Sequence, residues 1–224
     1  MFVGHYSASF WGKAQQPRLP LWLLFIAVQF IDVLWAVFVL LGVEKARIVP
    51  GITAGSPLDL YYMPYTHSLI GALALSAVAG LLCQMVRSWR GLRPGLIVAG
   101  AVFSHWLLDL LVHRRDLSLY GDHFKMGLGL WNYLWPSFLL ELVVLWLGAG
   151  LYLRQVSSKT RIVAFVLFLS AVQIFGTFFV PPPPSARAEA QMALFFYFAF
   201  AAIAGWADSG NYSRLQRSKA VAAR

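Results

Sequence analysis

The sequence predicts an all-α polytopic membrane protein with about six transmembrane helices. Hydrophobic residues make up 59% of the 224-residue chain and charged residues only 12%, a composition unlike that of soluble domains. The chain also contains six apolar runs that approach the ~20 residues needed to span a bilayer. We expect a single transmembrane helical domain over residues 1–208 and a basic cytoplasmic tail over residues 209–224.

The N-terminal segment Met1–Gln16 precedes the predicted spans and is too short to cross a membrane. One possibility is an amphipathic helix that lies flat at the interface. The other is a half-helix that dips inward, which backbone can do where protein covers it. The inserted arrangement puts Lys13 at the surface and His5 about 12 Å deeper. Because residues 12–18 are mostly polar and a full-length span follows them, we expect no cleavable signal peptide.

Six predicted spans follow in order. They cover Leu19–Val43, Tyr65–Val86, Pro94–Val112, Leu130–Leu153, Ile162–Val180 and Ala190–Ala207. The loop Glu44–Pro64 is rich in proline and glycine, so we expect an irregular segment that is long enough to cover a pocket. The run Pro181–Pro184 is interpreted as a stiff spacer between the last two spans.

Basic residues predict the orientation of these spans. The formal net charge is +9, but lysines and arginines form short clusters between apolar runs. This pattern favours contact with anionic membrane lipid and excludes a nucleic-acid-binding surface. About twice as many of them fall on the side of the two termini as on the opposite side. The positive-inside rule therefore places both termini in the cytoplasm.

The third span carries the strongest candidate site. His105, Asp109 and His113 are four residues apart, which puts them on one face of a helix. Ionisable groups at membrane depth cost about 2.5–3.5 kcal/mol each, so they usually mark function. Imidazole and carboxylate suit a borderline cation such as zinc. The two histidines are about 12 Å apart along the axis, too far to share an ion directly, but Asp109 could bridge two ions. The alternative is a hydrogen-bonded pair that locks this span to a neighbour.

Three other polar positions lie in or beside apolar runs. Asp32 is near the centre of the first span, where a carboxylate needs a cation, a proton or a metal. His67 stands between the hydroxyl residues Thr66 and Ser68, so it is either a metal ligand with their support or an interfacial histidine. Glu141 is at similar depth in the fourth span, as a protonated structural carboxylate or a general acid or base.

The order of these residues resembles that of a known family, the membrane-bound metal-dependent hydrolases of bacterial inner membranes. The elements that carry the resemblance are Gly4-His5, Asp32, Thr66-His67-Ser68-Leu69 and Ser104-His105-x-x-x-Asp109, within the first half of the chain. The resemblance implies a bacterial inner-membrane location and favours the inserted N-terminal segment. It also implies that metal is bound by His5, Asp32, His67, His105 and Asp109.

Two departures from the family pattern are visible. Val33-Leu34-Trp35 follow Asp32, where the family often has a second Asp and a His, and Met63-Pro64-Tyr65 replace a basic residue and a glycine. His113 and Asp116 are candidates to replace a missing ligand; the other interpretation is that catalysis has been lost. The H-x-x-x-D element is also similar to one in zinc-dependent phospholipase C.

The predicted function is a metal-dependent hydrolase that acts on an ester or phosphoester of a lipid or a lipid-linked phosphate. One or two zinc-like ions would lower the pKa of a bound water towards about 7 and polarise the scissile bond. Asp116 or Glu141 would shuttle the proton, and Ser68 would steady a ligand. Arg114 and Arg115 would bind a phosphate, unless they are only interfacial charges.

Two other function classes remain. A small ion- or proton-coupled transporter could use Asp32, His105, Asp109 and Glu141 as a relay. Paired discontinuous helices would favour it, and no internal repeat is evident in the sequence. The third class is a non-catalytic membrane protein that a metal stabilises.

Overall fold

The computed structural model describes residues 1–222, with side chains as far as Asn211. A 3-10 turn, Val3–His5, leads into the first of the α-helices, and a second one, Leu130–Asn132, precedes α6. The helices are α1 (Tyr6–Gln15), α2 (Leu21–Val28), α3 (Phe30–Leu41), α4 (Leu69–Met85), α5 (Leu92–Val112), α6 (Leu134–Leu153), α7 (Thr160–Phe178) and α8 (Ala186–Ala222). The predicted helical class is therefore broadly confirmed.

Four helices are long and apolar enough to cross a membrane: α5, α6, α7 and the Ala186–Asn211 part of α8. The pair α2 and α3 is a fifth candidate, although it bends by 53°. The helix α4 has 17 residues and spans only about 25 Å, less than the bilayer core. The chain is therefore a helical membrane protein, and the count of six spans stays a prediction.

Large apolar side chains cover the outer faces of these helices. Leu96, Leu147 and Phe175 are each at least 60% exposed. Soluble monomers rarely expose large apolar side chains in this number. The acyl chains of a bilayer would cover it.

The first predicted span is not one continuous helix. The helix α2 ends at Val28 and α3 begins at Phe30, with Gln29 between them. Each helix end leaves backbone groups without intrahelical partners. The break therefore releases the carbonyl of Val28, the last residue of α2, from the helical hydrogen-bond pattern, close to Asp32 in the first turn of α3.

The helix α1 lies inside the bundle, where it packs on α6 and α2. Its Tyr6 and Phe10 side chains are fully buried. Gly148 of α6 permits the close approach, since a Cβ at this position would collide with the backbone of Ser7. The N-terminal segment therefore takes the inserted arrangement rather than the interfacial one.

Lys13, expected at the surface, is instead fully buried. Its Nζ lies 2.7 Å from Asp208 Oδ2 and donates to the carbonyls of Pro17 at 3.2 Å and Leu19 at 2.9 Å. The other oxygen of Asp208 accepts a hydrogen bond from the Tyr152 hydroxyl. A buried charge is tolerated where partners surround it in this way, and the ion pair ties α1 to α8.

The loop Glu44–Pro64, expected to be irregular, contains an antiparallel hairpin of β1 (Lys45–Ile48) and β2 (Leu58–Tyr62). This is a correction: the glycines and all prolines of the loop except Pro64 lie in the turn between the strands. Leu60 and Met63 are buried with Leu117 and Trp131 in a second, smaller apolar core. We call residues 44–64 and 113–133 the cap. The cap covers the end of the bundle at which α3 and α5 terminate.

The helix α8 continues to Ala222. The predicted domain boundary after residue 208 therefore falls within a helix, and residues 223 and 224 lie outside the described residues. The run Pro181–Pro184 lies between α7 and α8, in the position that its role as a spacer requires.

Candidate metal centre

Six ionisable side chains from separate parts of the chain meet at the cap end of the bundle. All but Asp32 are buried, and the Asp32 side chain is 15% exposed. The six are His5, Asp32, His67, His105, Asp109 and His113. They are the five residues that the resemblance implies as metal ligands, together with His113, the candidate replacement ligand. All but His113 belong to His/Asp groups whose ligand atoms are close enough together to hold a metal ion.

Asp109 lies at the middle of this cluster. Its Oδ2 is 3.0 Å from His105 Nε2, 3.6 Å from His113 Nε2 and 3.8 Å from His67 Nε2. Three imidazoles therefore aim the same ring nitrogen at one carboxylate oxygen. The backbones of His105 and His113 are two helical turns apart, but both rings turn towards Asp109, so both Nε2 atoms lie within 3.6 Å of the same carboxylate oxygen.

His5 approaches the other oxygen of the same carboxylate. Its Nε2 lies 3.1 Å from Asp109 Oδ1, and the amino nitrogen of Met1 is 2.6 Å from that oxygen. The His5 ring stacks on His105 with centroids 3.8 Å apart. Among the side chains that the structure describes, neither ring nitrogen of His5 has a partner with hydrogen-bond geometry. Nε2 is the nitrogen that faces Asp109 and could bind a cation.

Asp32 completes a second set of ligand atoms. Its Oδ1 lies 3.2 Å from His67 Nε2 and 3.3 Å from His105 Nε2. Its Oδ2 accepts a hydrogen bond from the Tyr197 hydroxyl at 2.6 Å. The position of Asp32 in the first turn of α3 favours a negative charge there. Two triads have ligand atoms within 4.8 Å of one another: His5, His105 and Asp109; and Asp32, His67 and His105.

The orientation of His105 is fixed by the break in the first span. Its Nδ1 lies 2.7 Å from the carbonyl oxygen of Val28, the last residue of α2. A carbonyl can only accept, so Nδ1 carries the proton and donates it. In the neutral ring, the Nε2 lone pair then faces Asp32 and Asp109. His105 Nε2 makes no hydrogen bond within the described residues.

His67 is fixed by a chain of two hydrogen bonds. The Thr66 hydroxyl donates to Glu44 Oε2 at 2.6 Å and lies 2.8 Å from His67 Nδ1. Because its proton is used on Glu44, Thr66 accepts from the ring, and Nδ1 is the protonated nitrogen. Glu44 Oε1 also accepts from the amides of Tyr65 and Thr66, both at 2.9 Å. Nε2 of His67 therefore points to the two aspartates.

His113 is fixed in the same manner by Asp116. Its Nδ1 lies 2.9 Å from Asp116 Oδ1, and an ionised carboxylate can only accept. The Trp131 ring packs against the imidazole with centroids 4.3 Å apart. Metal-binding histidines commonly have a carboxylate or carbonyl on the second ring nitrogen in this way.

Three neutral imidazole lone pairs that face carboxylate oxygens would repel them. The repulsion is relieved if protons or a cation lie between the groups. The Met1 amino group already lies 2.6 Å from Asp109 Oδ1, and further positive charge between the rings and the two carboxylates would stabilise the buried cluster.

Two other residues with predicted catalytic roles make structural contacts. Glu141 Oε2 accepts from the amides of Phe2 at 2.8 Å and Gly4 at 3.2 Å, which holds the first turn of the chain beside His5. Ser68 caps α4, and its hydroxyl accepts from the amide of Gly71 at 3.1 Å. Their roles in proton transfer and in support of a ligand stay predictions.

The predicted phosphate-binding arginines lie in the cap. Arg114 donates to Asp59 Oδ1 at 2.9 Å, and Arg47 to Asp59 Oδ2 at 2.6 Å. Arg115 is exposed. Arg114 is therefore engaged by a carboxylate of the hairpin, and its role with phosphate stays a prediction.

Four contributors were not among the expected site residues: the Met1 amino group, the Val28 carbonyl, Glu44 and Tyr197. Glu44 stands alone as an acidic residue at the end of the first apolar run, a signal that could have indicated it.

Comparisons with family models, curated proteins and solved structures give no match for this chain. The resemblance to the membrane-bound hydrolases thus stays a prediction.

Proposed function

We propose that the protein is an integral membrane metal-dependent hydrolase whose buried cluster holds a zinc-like divalent cation. One observation carries this proposal. His67, His105 and His113 each donate Nδ1–H to a fixed acceptor, and each has Nε2 within 3.8 Å of Asp109 Oδ2. Neutral imidazole with a second hydrogen-bonded partner is the usual state of a metal-binding histidine.

The spacing of the ligand atoms supports the same proposal. Zinc is typically held tetrahedrally with bonds of about 2.0–2.2 Å, so its ligand atoms lie about 3.3–3.6 Å apart. The nitrogen-to-oxygen distances from His105 are 3.0 and 3.3 Å, and those from His67 are 3.2 and 3.8 Å.

A bound cation would activate water and polarise an ester or phosphoester. Among the proposed proton shuttles, Asp116 is favoured over Glu141. Asp116 Oδ2 is buried and has no hydrogen-bond partner in the described part of the chain, whereas Glu141 already accepts two backbone amides through one oxygen.

A lipid or lipid-linked substrate is favoured by the surroundings of the cluster. An open apolar groove of about 350 Å³ includes Thr66, the residue that contacts His67. The other lining residues are Leu34, Phe38, Val43, Tyr65 and Leu75. Such a groove suits an acyl or prenyl chain.

The test uses the full chain purified in detergent. We expect about one or two equivalents of transition metal per chain, lost in His105→Ala and Asp109→Ala and retained in His123→Ala, an exposed histidine of the cap. The metal-loaded protein should hydrolyse one member of a panel of lipid esters and phosphoesters. Failure of the unaltered protein to bind transition metal would refute the proposal. Metal without hydrolysis of any member would indicate the non-catalytic class.

One observation favours a transporter as the second candidate. The broken pair α2 and α3 places Asp32 at the start of a half-helix, as in transporter sites. Transporters of that type usually have a second broken helix, and residues 1–222 contain one bent pair. Proton-coupled uptake into vesicles by metal-free protein would favour this candidate.

A further inference from the structure

Tyr197 joins the cluster from the last helix of the bundle. Its hydroxyl donates to Asp32 Oδ2 at 2.6 Å, across 165 positions of sequence. The residue is 6% exposed, and the Phe2 ring packs on it with centroids 6.4 Å apart. Its ring is therefore held in place from the side of the N-terminal segment.

Because of this hydrogen bond, the two oxygens of Asp32 have different partners. Tyr197 engages Oδ2, while Oδ1 alone lies 3.2 Å from His67 Nε2 and 3.3 Å from His105 Nε2. A carboxylate without such a partner can rotate about χ2 or bind a cation through both oxygens. The neighbouring ligands His67 and His105 have their own fixed partners, so Tyr197 supplies for Asp32 what Thr66 and Val28 supply for them.

We infer that Tyr197 is a positioning residue, which holds Asp32 as a ligand through one oxygen only. This inference rests on the proposed cation site. The alternative is a purely structural hydrogen bond that ties α8 to α3. The two roles differ in a measurable way, because a structural bond would affect stability without changing the coordination of a cation.

The chain offers a matched control for the test. The Tyr152 hydroxyl donates to Asp208, so it forms another buried tyrosine–aspartate bond, remote from the cluster. Tyr197→Phe and Tyr152→Phe each remove one hydroxyl from such a pair. Binding of Co²⁺ to the full chain in detergent serves as the readout, since the visible absorption of Co²⁺ reports its coordination number and geometry.

We expect Tyr197→Phe to weaken Co²⁺ binding about 10- to 100-fold, the usual effect of losing a partner of a ligand, and to alter the absorption spectrum. Tyr152→Phe should leave both unchanged. In an Asp32→Ala background, Tyr197→Phe should have no further effect on affinity, because it acts through Asp32.

Several outcomes would overturn the inference. Normal Co²⁺ affinity and spectrum in Tyr197→Phe would leave the cation site intact and remove Tyr197 from it. A Tyr197→Phe protein that unfolds even with Co²⁺ present would assign the bond a structural role. Additive losses in the double variant would also assign it a role apart from Asp32. An unaltered protein that binds no Co²⁺ would overturn both this inference and the proposed function.

Discussion

The ring of His5 lies flat on the ring of His105, with centroids 3.8 Å apart and an interplanar angle of 6°. One ring belongs to a segment too short to cross a membrane, and the other to a long apolar helix. The contact therefore fixes the inserted N-terminal segment to the centre of the cluster. It also makes His5 both a packing element and a candidate ligand, and these two roles can be separated.

Replacement of His5 separates them. His5→Phe keeps an aromatic ring on His105 but removes both nitrogens, whereas His5→Ala removes ring and nitrogens. We expect both variants to lose more cation affinity than the about 10- to 100-fold typical of a ligand's partner. His5→Phe should have a higher melting temperature than His5→Ala, because it keeps the ring that stacks on His105. Metal titration and thermal unfolding measure these effects, and unchanged affinity in His5→Phe would exclude His5 as a ligand.

The hydroxyl of Thr66 is expected to orient His67. Thr66→Val is nearly isosteric but breaks the hydrogen-bond chain from Glu44 to the ring. Cation affinity should fall about 10- to 100-fold. Thr53→Val is the control, because its hydroxyl bonds to Ser56 within the turn of the hairpin. Equal affinities of the two valine variants would contradict the orienting role.

Substitutions at two glycines of α6 test whether the close packing of α1 on α6 is needed for stability and cation binding. A Cβ at Gly148 would collide with the Ser7 backbone, whereas nothing lies within 4 Å of a Cβ at Gly150. Gly148→Ala should destabilise the protein by about 1–3 kcal/mol, as overpacking usually does, and should weaken cation binding by displacing α1. Gly150→Ala should do neither. Unfolding in detergent and metal titration provide the measurements; a harmless Gly148→Ala would show that α1 can shift without consequence.

The ion pair between Lys13 and Asp208 should stabilise the protein only as a pair. Lys13→Met leaves a buried carboxylate without its partner, which should cost about 3–5 kcal/mol of the free energy of unfolding. The double variant Lys13→Met/Asp208→Leu should recover much of this loss. At the partly exposed pair of Lys125 and Asp122, Lys125→Met should cost less than about 1 kcal/mol. A double variant no more stable than Lys13→Met would contradict this account.

The sequence predicts both the membrane class and the row of ionisable residues His105, Asp109 and His113 on one face of α5, because both depend on local patterns. Composition determines the first, and a spacing of four residues determines the second. The hairpin in the cap was missed, since the many prolines and glycines of its turn obscured two short strands. The buried position of Lys13 depends on Asp208, a residue far along the chain that no local pattern connects to it.

The candidate site was predictable as a set of residues, but not as a geometry. Asp32 and His105 are both visible as polar positions in apolar runs, whereas the break at Gln29 has no proline or glycine beside it, the usual causes of a sharp kink. Tyr197 stands within a run of aromatic residues, where nothing distinguishes it from lipid-facing neighbours.

The bend at Gln29 determines two features of the site together: the hydrogen bond from His105 to Val28 and the orientation of Asp32. In an unbroken helix the oxygen of Val28 would be consumed by the amide of Asp32, four residues later. The imidazole of His105 would then lose its acceptor, and the Asp32 carboxylate would point in a different direction around the helix axis. A change that straightened this joint would therefore abolish the site in one step, rather than weaken it ligand by ligand.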